Sequence, residues 1–524
     1  MKKILYLVIL GFVFSPLCSF SQTAPASKKK KYGFTPALIR GPYLQAATPN
    51  SMVVRWRTDE NDVSFVRYGL SPDQLDGLAG NSNRIKEHIV TLNGLKPDTK
   101  YYYLIEGVRD TLQGDENNHF RTLPLPGAKG KYRIGAFGDC GNNSTNQRLT
   151  RDAFEKYLGK EDLNAWILLG DNAYSFGKDD EYQTNFFDIY QDGLLKKAPL
   201  FPAPGNHDYH DTKMYAEFAQ QSGELAYYKI FTMPTMGEAG GVPSRSQAFY
   251  SYDIGNIHFL SIDSHGEEDY ASRLFDTSGR QVKWIKEDLE QNKHKDWIVA
   301  YWHHPPYSMG SHNSDTETQM RKIRENFVSI LERYGVDLVL CGHSHSYERS
   351  GLMKGHLGLE NSFDAATHQL SNSSAKYDGS ANSCPYIKDE SNQGTVYVVS
   401  GSAGALDYAQ ASFPHDAMQY SDVSIGGASL IEVENNRLDL KWIASNGEVK
   451  DQFTIMKKLN KRVVITAKKG EKVMLTASYP GQYIWEGMNK TTRSIEVTPK
   501  GKTTVYAVKD PQNCIRQEFE VRIQ

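Results

Sequence analysis

The stretch Val336–Arg349, VDLVLCGHSHSYER, decides how the middle of this 524-residue chain is read. Val336, Leu338, Val339 and Leu340, interrupted only by Asp337, form a short apolar run suited to a strand buried on both faces. Cys341 and Gly342 end the run, and His343 and His345 follow. Two imidazoles two residues apart, beside a glycine that lets the backbone turn, can be aimed into one cleft. Neutral imidazole is the commonest protein ligand for zinc-like and iron-like metals. Taken alone, a His-x-His pair is equally well two loop histidines without a task. The other strand ends decide between these readings.

Outward from this stretch, strand and helix patterns alternate. Strands are expected at Tyr132–Phe137, Ala165–Leu169, Pro199–Pro204 and Trp297–Tyr301, with a hairpin at Phe249–Asp253 and Ile257–Ser261. Helices are expected at Thr145–Leu158, Asp179–Lys197, Thr316–Tyr334 and Ser278–Lys293, the last with Val282, Ile285 and Leu289 on one stripe. The alternation predicts a layered α/β domain over residues 130–457. Ligands of such sheets bind beyond the carboxyl ends of the strands.

Each predicted core strand delivers metal-type side chains at that end. Phe137 leads to Gly138-Asp139-Cys140-Gly141, and Leu169 to Gly170-Asp171-Asn172-Ala173-Tyr174. Pro204 leads to Gly205-Asn206-His207-Asp208, and Tyr301 to Trp302-His303-His304-Pro305-Pro306. Singly, a Gly-Asp is a common turn and His-His-Pro-Pro a rigid loop. Together they supply carboxylates, an amide, imidazoles and a phenol, enough for two metals with one shared ligand.

The flanks read differently. From Ile39 to Leu123 short strands and turns indicate a β-sandwich over 37–125, and Lys461–Gln524 alternates again, indicating a second, Ig-like one over 460–524. Leu357–Gln393 is a long polar excursion from the middle domain. The net charge of −2 excludes a nucleic-acid binder that works by neutralising phosphates. At the start, Lys2 and Lys3, the apolar run Ile4–Phe14 and Ser19-Phe20-Ser21 predict a secretory signal over 1–21, and 22–36 reads as a linker. After cleavage of that signal the product is expected to be secreted (periplasmic, cell-surface or extracellular), and no transmembrane segment is expected. Cys140 and Cys341 sit at strand ends as packing residues, and Cys384 and Cys514 do not amount to a disulfide scaffold.

The order GD-x-G, GD-x-x-Y, GNHD, H-x-P and GH-x-H resembles the metallophosphoesterase superfamily and, within it, the purple acid phosphatases. Arg40-Gly41-Pro42-Tyr43-Leu44 through Leu123 resembles that family's fibronectin-like N-terminal domain. The discriminating residue is Tyr174, since position 141 is Gly where the wider superfamily has His. The resemblance implies an α/β metallophosphoesterase sandwich behind the N-terminal β-sandwich, and with the alternation at the chain's end the expected architecture is that sandwich between two all-β sandwich domains. It implies Fe(III) held by Asp139, Tyr174 and His345, Asp171 as a bridge, and a second divalent ion (Fe, Zn or Mn) held by Asn206, His303 and His343. His207 and His312 match residues that contact substrate phosphate or protonate the leaving group, and His304 matches a supporting position. Asn313 and Asp208 depart from the pattern, which often has His and Glu there. The implied activity is hydrolysis of phosphate monoesters of small molecules by in-line attack of a metal-bound hydroxide. A phosphodiesterase or nucleotide hydrolase on the same site is the alternative, and a surface-binding protein with a vestigial metal domain is a third reading, opposed by the complete ligand set.

Overall fold

The computed structural model describes residues 35–209, 219–268 and 272–524. The expected signal over 1–21 and most of the expected linker over 22–36 lie outside these residues. Pro36–Gln524 forms one compact unit.

Two sheets lie face to face in the middle of the chain. In the first, Lys131–Phe137, Ala165–Leu169 and Pro199–Ala203 run parallel. In the second, Ile257–Ser261, Trp297–Tyr301, Leu338–Cys341 and Val396–Ser400 run parallel. All but the first of these strands are buried along their whole length, which is why the sequence shows them as unbroken apolar runs. The inner faces share a core in which Phe201 stacks on Tyr252 with ring centroids 3.9 Å apart. Two phenols stitch the layers: Tyr301 donates to the Phe201 carbonyl at 3.1 Å and Tyr250 to the Pro202 carbonyl at 2.7 Å. Helices close the outer faces. The expected stripe Val282, Ile285 and Leu289 on Arg280–Asn292 is fully buried beside Ile298, Ala300 and Val339 of the second sheet. Burial of each such side chain stabilises by about 1.5–3 kcal/mol. Thr145–Leu158 covers the first sheet and sets Phe154 edge-on to Phe137 at 4.9 Å.

Several expected boundaries are corrected. The helix expected at Asp179–Lys197 is broken: an α-turn at Asp179–Tyr182 passes through a π-helical turn at Gln183–Phe187, then a turn at Asp188–Tyr190 and a 3₁₀ turn at Leu194–Lys196. The wide turn lets the adjacent Phe186 and Phe187 both reach the core, which an unbroken α-helical register resists. Thr316–Tyr334 is likewise divided into Thr318–Lys322, a π turn Ile323–Phe327 and Val328–Arg333. The deciding strand begins at Leu338 rather than Val336, and the buried Asp337 before it pairs with Lys388 at 2.5 Å and Lys457 at 2.7 Å. The motif's tail is itself a strand, Tyr347–Ser350, antiparallel to Val396–Ser400.

The first flanking module is fused to the middle. Leu38–Gln45 runs parallel to Pro199–Ala203 and antiparallel to Ser51–Gly69, so one sheet continues from the module into the domain. The chain's end forms a four-stranded sheet, Arg462–Ala467, Arg516–Ile523, Thr503–Lys509 and Ile484–Trp485, and a two-stranded one, Val473–Thr476 with Ser494–Val497. Between them lie Leu475, Trp485, Val508 and Phe519. Cys384 of the polar excursion is disulfide-bonded to Cys514 of this terminal module, with Cα atoms 5.3 Å apart. Cys140 and Cys341 are buried free thiols. Among the described residues no helix is long and apolar enough to cross a membrane.

Candidate metal centre

The carboxyl ends of five strands meet where the two sheets come together, and the backbone there is under constraint. Asp139, Asp171 and His343 have φ of 56°, 52° and 66°, the left-handed region that side-chain-bearing residues avoid. Such conformations cost on the order of 1–3 kcal/mol each and persist where surrounding structure enforces them. The glycines of the motifs make room for this crowding. A Cβ on Gly170 would stand 2.5 Å from His303 Nδ1, and one on Gly205 would stand 2.2 Å from Asp171 Oδ1.

Seven residues named from the sequence form two adjoining groups. In the first, the Tyr174 hydroxyl lies 2.9 Å from Asp139 Oδ1 and 3.2 Å from His345 Nε2, and His345 Nε2 lies 3.5 Å from Asp139 Oδ1. In the second, His303 Nε2 lies 3.2 Å from Asp171 Oδ2, 3.0 Å from Asn206 Oδ1 and 3.2 Å from His343 Nδ1. Asp139 Oδ2 also accepts from the His343 backbone N–H at 2.9 Å, which joins the groups. His207 stands over the site, its Nε2 3.8 Å from Asp171 Oδ2 and its ring 4.4 Å from that of Tyr174. His312 comes from the loop after His303, its ring 3.8 Å from that of His343. His304 is buried behind, 4.3 Å from the same ring, with its Nδ1 2.9 Å from Ser264 Oγ. Asn313 does not substitute for a histidine; its Oδ1 accepts from the Asp315 N–H at 2.8 Å and shapes the loop.

The imidazoles share one design: an outer nitrogen is held by an acceptor, so the inner nitrogen is left with a lone pair. His303 Nδ1 donates to the Leu169 carbonyl at 2.9 Å and His207 Nδ1 to the Ser175 carbonyl at 2.6 Å. His345 Nδ1 donates to Asp407 Oδ2 at 2.6 Å, and His343 Nε2 to Glu317 Oε2 at 3.1 Å. Sequence reasoning missed Asp407 and Glu317. Neither belongs to a motif, and Asp407 follows His345 by 62 positions, so no local pattern marks it.

The electrostatics of the cleft favour cations. Asp139 and Asp171 are buried, and among the described residues no Lys or Arg pairs with either. Burial works against ionising Asp171, but His303 above all, then His207 and His343, hold its pKa well below the ordinary carboxylate range. Burial likewise works against protonating His303 and His345, yet Asp171 and Asp139 push their pKa values up to about 9. The same field would draw a metal ion in place of those protons. Burial, with the charges of Asp139 and Asp171, holds the Tyr174 phenol well above its ordinary pKa, so a phenolate there requires a cation beside it.

The calcineurin-like phosphoesterase family matches residues 132–347, a range that contains all of these motif residues, and the purple acid phosphatase N-terminal domain matches residues 41–122. Purple acid phosphatase 23 of Arabidopsis thaliana is 30% identical over 305 residues, which are 52% of this chain and 59% of that one, so the chain spans little more than half that relative's length. Acid phosphatase type 7 of Danio rerio is 26% identical over 441 residues, 78% of this chain and 88% of that one. The solved structure of a purple acid phosphatase from yellow lupin (Lupinus luteus) seeds shares the fold, with a TM-score of 0.59 at 19% identity over 80% of this chain and 74% of that one. The chain carries a calcineurin-like phosphoesterase domain behind a purple acid phosphatase N-terminal domain, and purple acid phosphatases are among the proteins it is similar to.

Proposed function

We propose that the chain is a binuclear-metal phosphatase that hydrolyses phosphate monoesters of small molecules. In this reading Asp139, Tyr174 and His345 would hold Fe(III), Asn206, His303 and His343 would hold a divalent Fe, Zn or Mn ion, and Asp171 would serve both. The supporting observation is the donor set itself: inner imidazole nitrogens freed by outer hydrogen bonds, beside buried carboxylates with no Lys or Arg partner among the described residues. A phenolic oxygen and carboxylates suit a hard ferric ion, and imidazoles with an amide oxygen suit a divalent one. Bound ions of this kind withdraw charge from a phosphate ester and activate water at mildly acidic to neutral pH.

The chain's own residues supply the rest. His207 and His312 flank the site, so one can hold a phosphate oxygen while the other gives a proton to the departing oxygen. His304 stays neutral, since burial and then the neighbouring imidazoles hold its pKa well below its ordinary value, and it acts as a packed support. The terminal β-module, of immunoglobulin-like kind, anchors, spaces or targets the enzyme. The Cys384–Cys514 bond supports an oxidising, extracytoplasmic location.

The test is metal content of the purified chain with a panel of phosphate mono- and diesters, run on wild type and Asp171→Ala. Two ions per chain and preferred turnover of monoesters are expected, with turnover reduced by about 10³-fold or more in the variant, the scale of losing several kcal/mol of charge stabilisation. Unchanged turnover by Asp171→Ala overturns the reading, and preferred turnover of diesters moves it to a phosphodiesterase.

A further inference from the structure

We infer that Glu317 is a positioning residue that makes His312 the proton donor and ties it to the divalent-ion subsite through one carboxylate. This rests on the phosphatase reading above. Glu317 immediately precedes the helix Thr318–Lys322, and its own N–H donates to the Asn313 carbonyl at 3.0 Å, which fixes its backbone. Its side chain is not spent on capping that helix. It reaches into the site, where Oε1 lies 2.7 Å from His312 Nδ1 and Oε2 lies 3.1 Å from His343 Nε2. The two rings it grips lie 3.8 Å apart and 31° from parallel.

The consequence follows from counting nitrogens. Each imidazole has two, and Glu317 takes the N–H of one on each ring. His343 then has only Nδ1 to offer a metal, and that atom sits 3.2 Å from His303 Nε2, inside the second group. His312 has only Nε2 with which to exchange a proton with substrate. In the reaction a bond forms between phosphorus and a water oxygen, and the ester P–O bond breaks with its electron pair on the departing oxygen. That oxygen takes the His312 Nε2 proton, and the proton lost by water restores the histidine. Because the same carboxylate sets both tautomers, ion affinity and proton delivery are set together.

The test uses the full chain, with Glu317→Ala and Glu317→Gln. Two quantities are read: Zn²⁺ affinity of the chelator-stripped protein, and kcat/KM for an alkyl phosphate relative to 4-nitrophenyl phosphate, whose leaving group departs without a proton. Glu317→Ala is expected to weaken Zn²⁺ binding by about 10–100-fold. It is also expected to slow the alkyl ester by about 10²-fold more than the nitrophenyl ester. Glu317→Gln, equal in size, is expected to show at least one of these losses at an unchanged melting temperature. A purely structural role would slow both esters by the same factor. Equal slowing of the two esters, unchanged Zn²⁺ affinity in Glu317→Ala, or wild-type values of both in Glu317→Gln overturns the inference. A wild-type chain that hydrolyses neither ester sinks the phosphatase reading instead, and the Zn²⁺ titration still decides whether Glu317 sets the His343 tautomer.

Discussion

The Ser308 hydroxyl donates to Glu348 Oε1 at 2.5 Å, joining the loop that carries His312 to the strand that follows His345. Glu348 is fully buried and also accepts from the Met309 N–H at 3.1 Å, the Gly310 N–H at 3.2 Å and the Ser346 hydroxyl at 2.9 Å. The charge in the SYER tail of the deciding stretch is therefore an organiser of the site's far wall. Glu348→Ala leaves several buried donors without an acceptor, each at about 1–3 kcal/mol, so a loss on the order of 3 kcal/mol or more is expected in urea unfolding. A shift within about 0.5 kcal/mol, as for a surface substitution, would show that the loop is held by other contacts.

Tyr174 tests the ferric reading by colour. Its phenol lies within 2.9 Å of Asp139 and 3.2 Å of His345, and the surrounding negative charge opposes ionisation unless a cation is present. The iron-loaded protein is expected to show a visible charge-transfer band that Tyr174→Phe abolishes while part of the iron is retained. A band that survives the substitution removes the phenolate from the metal's ligands.

How much of this was legible in the sequence divides along physical lines. The core strands showed because they are buried on both faces, and the site showed because strand ends carry short motifs with glycine at crowded turns. The helices at 179 and 316 misled because a π turn shifts register without changing composition. Leu38–Gln45 pairing with Pro199–Ala203 is a long-range contact that no local pattern encodes. Glu317, through two hydrogen bonds, and Asp407, through one, act from outside the motifs, where position in space rather than a motif spacing makes the partner. Val449–Lys457 was missed although it pairs along its length with Arg437–Ala444. Its first half carries Lys450, Asp451 and Gln452, and Asp451 is buried against Arg349, so the polar residues do not mark an outer face and the alternation is masked.

His258 predicts a loss of stability at alkaline pH. It is fully buried with Nδ1 2.8 Å from Asp253 and Nε2 2.6 Å from Asp288. Burial opposes its charge, but Asp288 and Asp253 outweigh burial and raise its pKa from 6.5 to about 9. A folded pKa above the unfolded one means the stabilisation is complete below pH 6.5 and is lost as pH rises through 9. The loss is on the order of 3 kcal/mol. Urea midpoints measured below pH 6.5 and above pH 9 should differ accordingly, and identical midpoints would refute the charged triad.

The Cys384–Cys514 bond predicts a separable contribution from the terminal module. It closes a loop of 130 positions between the polar excursion and the chain's end, supported by Tyr377 donating to Asp510 at 3.1 Å and Asn436 donating to the Ser478 carbonyl at 2.8 Å. Removing a native crosslink of this kind costs about 2–5 kcal/mol. The excursion meets the catalytic loop where the Glu360 N–H donates to Asp315 at 2.8 Å, but Arg324 grips Asp315 independently at 2.8 Å. The double variant Cys384→Ser/Cys514→Ser should therefore melt earlier and release the terminal module faster to protease, while aryl phosphate turnover at 25 °C stays near wild type. Unchanged melting and proteolysis would make the noncovalent contacts sufficient. Turnover lost at 25 °C would mean that the crosslink is transmitted through Glu360 and Asp315 to His312, and that the Arg324 contact does not hold the loop by itself.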